Sequence, residues 1–161
     1  MSTFTGTLAA WYVASHKLID TEIKTWFDAL KALTDPWNAF TPAWTSNGVA
    51  PVLGNGTITG KYVQDGKYIH YTGKLTMGST TTFGTGIYQI NLPVTAVDTT
   101  ALGVALAFRS TAVAHTGTAQ PRSTTNLQFF GDTGVGQFTQ LIPFTWASGD
   151  ILSWSITYEA A

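Results

Sequence analysis

The stretch GKYVQDGKYIHYTGKL, residues 60–75, decides the fold class of this protein. Two runs of alternating side chains flank Asp65-Gly66, and both of these residues tolerate the positive φ that a two-residue type I′ turn requires. The stretch therefore predicts a β-hairpin. After the turn, one face of the predicted strand is apolar and is expected in the core, while the other is a mixed polar face. The apolar set is Ile69, Tyr71, Leu75 and Met77, and the polar set is Tyr68, His70, Thr72, Lys74 and Thr76.

The same alternation continues to the end of the chain. Glycine, proline and aspartate separate the apolar runs, and no helical pattern lies between them. About eight short antiparallel strands without intervening helices predict a mainly β fold, a β-sandwich or jelly roll over residues 42–161. The predicted strands are 57–64, 67–77, 87–92, 102–109, 113–119, 124–130, 137–142 and 151–158.

Residues 1–41 follow a different period. Apolar side chains are spaced four, three, four and three residues apart, which is the spacing of an amphipathic helix and of a coiled-coil seam. We predict an N-terminal helical segment that ends at Asp35-Pro36, followed by a connector through Pro51. The helix either associates with copies of itself, as an anchor or oligomerisation segment, or packs on its own domain. The candidate oligomerisation residues are Ile19, Ile23, Trp26, Leu30 and Leu33.

The composition excludes several classes of partner. The 8 Lys and Arg balance 9 Asp and Glu, so no net charge favours nucleic acid or an anionic membrane. Only 11% of residues are charged, against about a quarter in ordinary domains, which is typical of a chain that buries much of its surface against other subunits. The N-terminus has no basic region, and its apolar run, residues 8–14, is too short for a signal peptide or a membrane span. We expect synthesis and folding in a cytosol and no membrane insertion.

Candidate residues for catalysis or metal binding are isolated in the sequence. His16, His70 and His115 have no second ligand at metal spacing, and without cysteine there is no thiolate site. Asp132-Thr133-Gly134 matches the aspartic-protease tripeptide, but glycines on both sides favour a turn. The glycine-rich segment Gly78–Gly86 lacks the lysine of a phosphate-binding loop. We predict no catalytic residues, no metal and no cofactor, and therefore no enzyme.

Residues 41–93 carry a series of turn and strand motifs that resemble a segment of small structural proteins of tailed bacteriophages and prophages. The C-terminal PFTWASGDILSWSITYEA also resembles the end of trimeric jelly rolls, where a Gly-Asp turn precedes a central strand. The motifs are a Thr-Pro-x-Trp entry (Thr41, Pro42, Trp44), Gly54-Asn55-Gly56-Thr57, the Gly60-x-Tyr62 strand, Gly66-Lys67, Gly78 to Thr82 with Gly84 and Gly86, and a Leu92-Pro93 exit.

The resemblance implies a homotrimeric structural protein located in the virion. Proteins of this kind are capsid decoration proteins, head fibres or minor tail proteins. The partners it implies are further copies of this chain and the major capsid or tail proteins of the same particle. Head and tail locations both stay open, because fold likeness alone does not fix a function.

A second hypothesis makes the β domain a carbohydrate- or host-surface-binding module of the receptor-binding type. Its candidate contact surface is the aromatic neighbourhood of the hairpin, which would stack on a host surface glycan. The residues are Tyr62, Tyr68, His70 and Tyr71.

Overall fold

The computed structural model describes residues 21–28, 37–111, 113–131 and 136–161. The chain divides into two compact units, Met1–Pro36 and Trp37–Ala161. In the first unit, residues 21–28 are helical (α1), which confirms the predicted helix over that range. The second unit is mainly β, as predicted, and begins five residues before the predicted boundary at 42. Within the described ranges, no helix has the length and apolar character needed to cross a membrane.

The second unit is a single curled antiparallel sheet of nine strands with the order β1-β3-β4-β9-β6-β7-β8-β5-β2. The strands are β1 (Asn38–Phe40), β2 (Trp44–Ser46), β3 (Thr57–Asp65), β4 (Tyr68–Thr76), β5 (Tyr88–Asn91), β6 (Gly103–Arg109), β7 (Val113–Pro121), β8 (Asn126–Gly131) and β9 (Ile151–Glu159).

Seven of the eight predicted strands are present, as β3 to β9. The hairpin differs by one residue: Asp65 pairs with Tyr68, so the two-residue loop is Gly66-Lys67, and Gly66 has a φ of 56°. The predicted strand 137–142 is wrong. Only isolated bridges form there, because Thr139 and Ile142 hydrogen-bond each other and fold the segment back on itself.

The predicted connector contains two strands, β1 and β2. β1 pairs with β3 at one end of the strand order, and β2 pairs with β5 at the other. Only residues 41–43 separate these two strands. The two edge strands of the curled sheet therefore belong to one short segment of chain, which pairs with β3 on one side and with β5 on the other.

The inner face of the sheet is filled with aromatic rings. Phe129 in β8 and Trp154 in β9 have ring centroids 5.8 Å apart, although β6 and β7 lie between them in the strand order. The two halves of the sheet thus face each other across one core. Ile69, Tyr71, Leu75 and Met77 are all buried, as predicted.

Glycines in the opening stretch make room for these rings. Gly73 lies directly opposite Trp154 in the β4–β9 ladder, and a Cβ on Gly73 would overlap the indole. Gly60 pairs with Gly73 in the next ladder, where a Cβ would lie 3.1 Å from the Tyr71 ring. Aromatic side chains that cover glycines of neighbouring strands help to fix strand register.

Candidate assembly and binding surfaces

Helix α1 exposes an apolar stripe. Ile23, Trp26 and Phe27 fall on one side at helical spacing, and the Trp26 side chain is 75% exposed. Lys24 and Asp28 form an ion pair of 2.7 Å one turn apart. Of the predicted seam, Ile23 and Trp26 lie in α1, whereas Ile19, Leu30 and Leu33 lie outside the described residues.

The outer face of the sheet carries a second apolar surface, which we call the β6 strip: Leu102, Val104 and Leu106. All three side chains are exposed. Their cross-strand neighbours are hydroxyl residues, with Ser155 and Thr118 opposite Val104, and Ser153 and Thr116 opposite Leu106. A contiguous patch of exposed apolar side chains, here with uncharged neighbours, is typical of a surface that contacts another molecule.

The four aromatic residues of the predicted contact surface divide between the two faces of the sheet. Tyr68 and His70 lie on the outer face, where His70 Nδ1 is 2.9 Å from Thr157 Oγ1. Tyr71 is fully buried, and its burial raises the pKa of the phenol above the ordinary value. Tyr62 is half-buried, with its ring centroid 6.4 Å from that of Phe40. The four side chains therefore do not form one surface.

Trp37 joins the outer-face pair instead. Its ring centroid lies 5.2 Å from that of His70, and the Lys61 Nζ atom lies 4.6 Å from the Trp37 centroid. Next to this group is a shallow depression of about 260 Å³. Its lining residues are Thr59, Gly60, Lys61, Thr72, Gly73 and Lys74. We call Trp37, Lys61, Lys74 and this depression the lysine groove.

The two glycine-rich segments are hydrogen-bonded to each other. Asn55 Oδ1 accepts hydrogen bonds from Thr80 N (2.9 Å) and Thr80 Oγ1 (3.0 Å), and Asn55 Nδ2 donates to Ser79 Oγ (3.0 Å). In the same way, Asn47 Oδ1 accepts from Ile87 N at 2.7 Å. We call this pairing of segments 46–57 and 78–87 the loop clasp. Because its side chains and several of its backbone N–H groups are already paired, the clasp has a structural role and does not resemble a phosphate cradle.

No protein-family model, curated protein or solved structure matches this chain.

The titratable groups of the described residues do not form a catalytic arrangement. No group of three or more potential metal ligands occurs within the described ranges. His70 contacts a hydroxyl and His115 lies against Phe144, and among the described residues neither imidazole bonds a carboxylate that would orient it. Asp150 is buried, and each of its carboxylate oxygens accepts a backbone N–H. His16 and Asp132-Thr133-Gly134 lie outside the described residues.

Sequence reasoning separated the two faces of the hairpin but missed the lysine groove. Trp37 precedes β1 by one residue, and nothing in the local pattern shows that β1 pairs with β3. Lys61 and Lys74 come from different strands and approach each other through the β3–β4 register. A cross-strand alignment of the hairpin would have placed both lysines on one face, because residues of the same parity point to the same side of a strand.

Proposed function

We propose that this protein is a non-enzymatic structural component of a tailed-phage virion. It forms a homotrimer on the particle exterior and acts as a capsid decoration protein or a minor tail or fibre protein. In this proposal the curled sheet is an antiparallel sandwich of the jelly-roll type, in which the strands around Trp154 and those around Phe129 are the facing layers. The observation that carries the proposal is the presence of two exposed, uncharged apolar surfaces, the α1 stripe and the β6 strip.

The α1 stripe supports self-association. All eight residues of α1 are exposed, including its large apolar side chains. In proteins, most of the stability of a helix comes from packing of its apolar face and less from its intrinsic propensity. The four-three spacing around Ile23 and Trp26 gives every copy the same seam, so a further copy of the chain is the partner of matching shape.

The β6 strip supports association through the sheet. Full burial of an aliphatic side chain contributes about 1.5–3 kcal/mol. Leu102, Val104 and Leu106 together therefore supply several kcal/mol towards the cost of association. The serines and threonines beside the strip bring no charge that would have to be desolvated.

The virion setting rests on the resemblance of the glycine-rich motifs. Those motifs form the loop clasp, so they identify a structural framework and carry no reactive group. A framework protein with low charge, without a catalytic arrangement in its described part and with exposed apolar surfaces fits a particle component better than an enzyme.

Sedimentation equilibrium at micromolar concentration tests the assembly. Three copies of the 17.3 kDa chain give about 52 kDa. We expect Val104→Asp to lower this mass by placing a charge on the β6 strip. Val49→Asp is the matched control, because Val49 lies in the loop clasp and is 65% exposed against 66% for Val104. A wild-type mass of 17.3 kDa would contradict the proposal.

Attachment to particles is tested by deleting residues 1–36, which leaves the second unit complete. We expect a folded domain that no longer joins purified particles. Electron microscopy of particles with the full chain labelled then separates a head location from a tail location.

A second candidate function is binding of a host surface glycan. The observation that favours it is the lysine groove, in which exposed aromatic and cationic side chains lie together on the outer face.

A further inference from the structure

The lysine groove combines two kinds of recognition group. Lys61 and Lys74 flank the depression, and neither forms an ion pair with a described residue. The depression has no acidic lining residue, and the hydroxyls of Thr59 and Thr72 complete its walls. Two ammonium groups without an acidic partner among the described residues, beside hydroxyls, attract an anionic group that also carries hydrogen-bonding hydroxyls.

Trp37 extends the groove along the sheet. Its indole is partly exposed and lies at the end of the groove near His70. The Lys61 ammonium lies 4.6 Å from the indole centroid, and the part of the indole that stays exposed offers an apolar surface on which the C–H face of a sugar ring packs. Lys74 pairs with Thr59, while His70 pairs with Val63, four residues farther along β3. At about 3.4 Å per residue, the groove spans about 14 Å, which suits a chain of sugar units.

Other anionic partners fit this surface less well. A polyol phosphate chain has no ring to stack on Trp37. A nucleic acid requires a basic surface that follows many phosphates, whereas the formal net charge of this chain is −1. A second copy of this chain would bury the ammonium groups of Lys61 and Lys74, which costs free energy unless acids face them.

We propose that the lysine groove binds an acidic polysaccharide built from uronic-acid sugars, with carboxylates at Lys61 and Lys74 and a sugar ring against Trp37. This inference deepens the second candidate function and does not depend on the trimer or on the virion location. The ligand class has a ring and one carboxylate in each sugar unit.

Titration calorimetry with an oligogalacturonate tests the proposal, with a neutral galactose oligosaccharide of the same length as the reference ligand. We expect the oligogalacturonate to bind and the neutral sugar to bind at least tenfold more weakly. Lys74→Gln and Trp37→Ala should each lower the affinity about tenfold. Lys67→Gln is the matched control, since it removes the same charge from the hairpin tip, where Lys67 lies 3.6 Å from Glu159; it should change the affinity less than twofold. Binding should also weaken as salt is added.

Three results would overturn the proposal. The first is the absence of oligogalacturonate binding up to millimolar concentration. The second is equal binding of the charged and neutral sugars, or equal effects of Lys74→Gln and Lys67→Gln. The third is a fall in sedimenting mass for Lys74→Gln without any sugar binding by the wild type, which would make the groove a contact between copies. A monomeric wild type that still binds the uronate would contradict the trimer and leave the groove supported.

Discussion

Asp150 offers the sharpest test of how the segment after β6 is held to the segment before β9, at the end of the ladder between these two neighbouring strands. Its side chain is fully buried, and its oxygens accept hydrogen bonds from Ser110 N at 2.9 Å and Ala147 N at 2.8 Å. Ser110 follows β6, while Ala147 precedes the turn into β9. The carboxylate therefore connects two chain segments about 40 residues apart. We predict that Asp150→Ala strongly destabilises the fold.

The expected magnitude follows from the two bonds. A hydrogen bond to a charged acceptor contributes about 1.5–3 kcal/mol. Ser110 and Ala147 are exposed residues, so water replaces part of the lost bonding. We therefore expect Asp150→Ala to lower the free energy of unfolding by about 3 kcal/mol, the lower end of the sum. For a chain of this size that corresponds to a fall in Tm of about 6–12 °C. Asp150→Asn keeps one acceptor and should cost less, about 2 kcal/mol.

Urea unfolding followed by tryptophan fluorescence measures these changes, at one fixed protein concentration because association also contributes to stability. Asp98→Ala is the control. Asp98 also accepts two hydrogen bonds, both from Thr100, but it is exposed and acts within a single turn. Both substitutions remove one negative charge. If Asp150→Ala and Asp98→Ala shift the urea midpoint equally, the buried carboxylate does not tie the two segments together and the reasoning is wrong.

Two further predictions concern the loop clasp and the alkaline limit of stability. Asn55→Ala removes the bonds to Thr80 and should lower the free energy of unfolding by about 1–3 kcal/mol. Asn55→Asp keeps the acceptor oxygen and should cost less in the same urea assay. Tyr158→Phe loses the hydroxyl bonds to Val94 and should cost about 1 kcal/mol at neutral pH. Burial raises the pKa of Tyr158 from 10.0 to about 12. The unfolded phenol therefore loses its proton first, and wild-type stability falls between pH 10 and 12. Over that range Tyr158→Phe should lose less stability than the wild type, and an equal loss in a pH series of unfolding curves would contradict this assignment.

The sequence predicted the strands well because strand formation here follows local patterns. Ile69, Tyr71 and Leu75 alternate with polar residues, and the resulting face assignment is confirmed by their burial. The predicted turn is wrong by one residue. Asp65 and Gly66 both favour turns, and only the cross-strand pairing of Asp65 with Tyr68 shows that the loop is Gly66-Lys67 and not Asp65-Gly66. The segment 137–142 failed because bonds within it replace the ladder.

The candidate surfaces depend on longer-range pairing and were less predictable. Val104 and Leu106 read as ordinary strand residues, but the alternating Ala105 and Ala107 occupy the core face of β6, so the larger side chains point outward. Tyr62 and Tyr68 are both aromatic and close in sequence, yet they point to opposite faces of the sheet. Tyr62 lies opposite the buried Tyr71 in the β3–β4 ladder, whereas Tyr68 is an odd number of residues from Tyr71 along β4 and so points to the other side. A contact surface defined by proximity in sequence therefore mixes the two sides of a strand.

The connector shows most clearly why strand pairing cannot be predicted from local sequence patterns. β1 and β2 have three residues each, which is shorter than the alternating runs from which strands are recognised. They become strands because β3 and β5 present unpaired backbone groups at the edges of the sheet, and a nearby chain lowers the free energy by pairing with them. Pro42 lies between β1 and β2 and belongs to neither ladder, so its missing backbone N–H breaks no strand pairing. Since one segment covers both edges, a truncation that ends at residue 41 removes β1 and uncovers β3. A deletion that ends at residue 36 leaves both edges paired, so only the shorter deletion separates loss of attachment from loss of the fold.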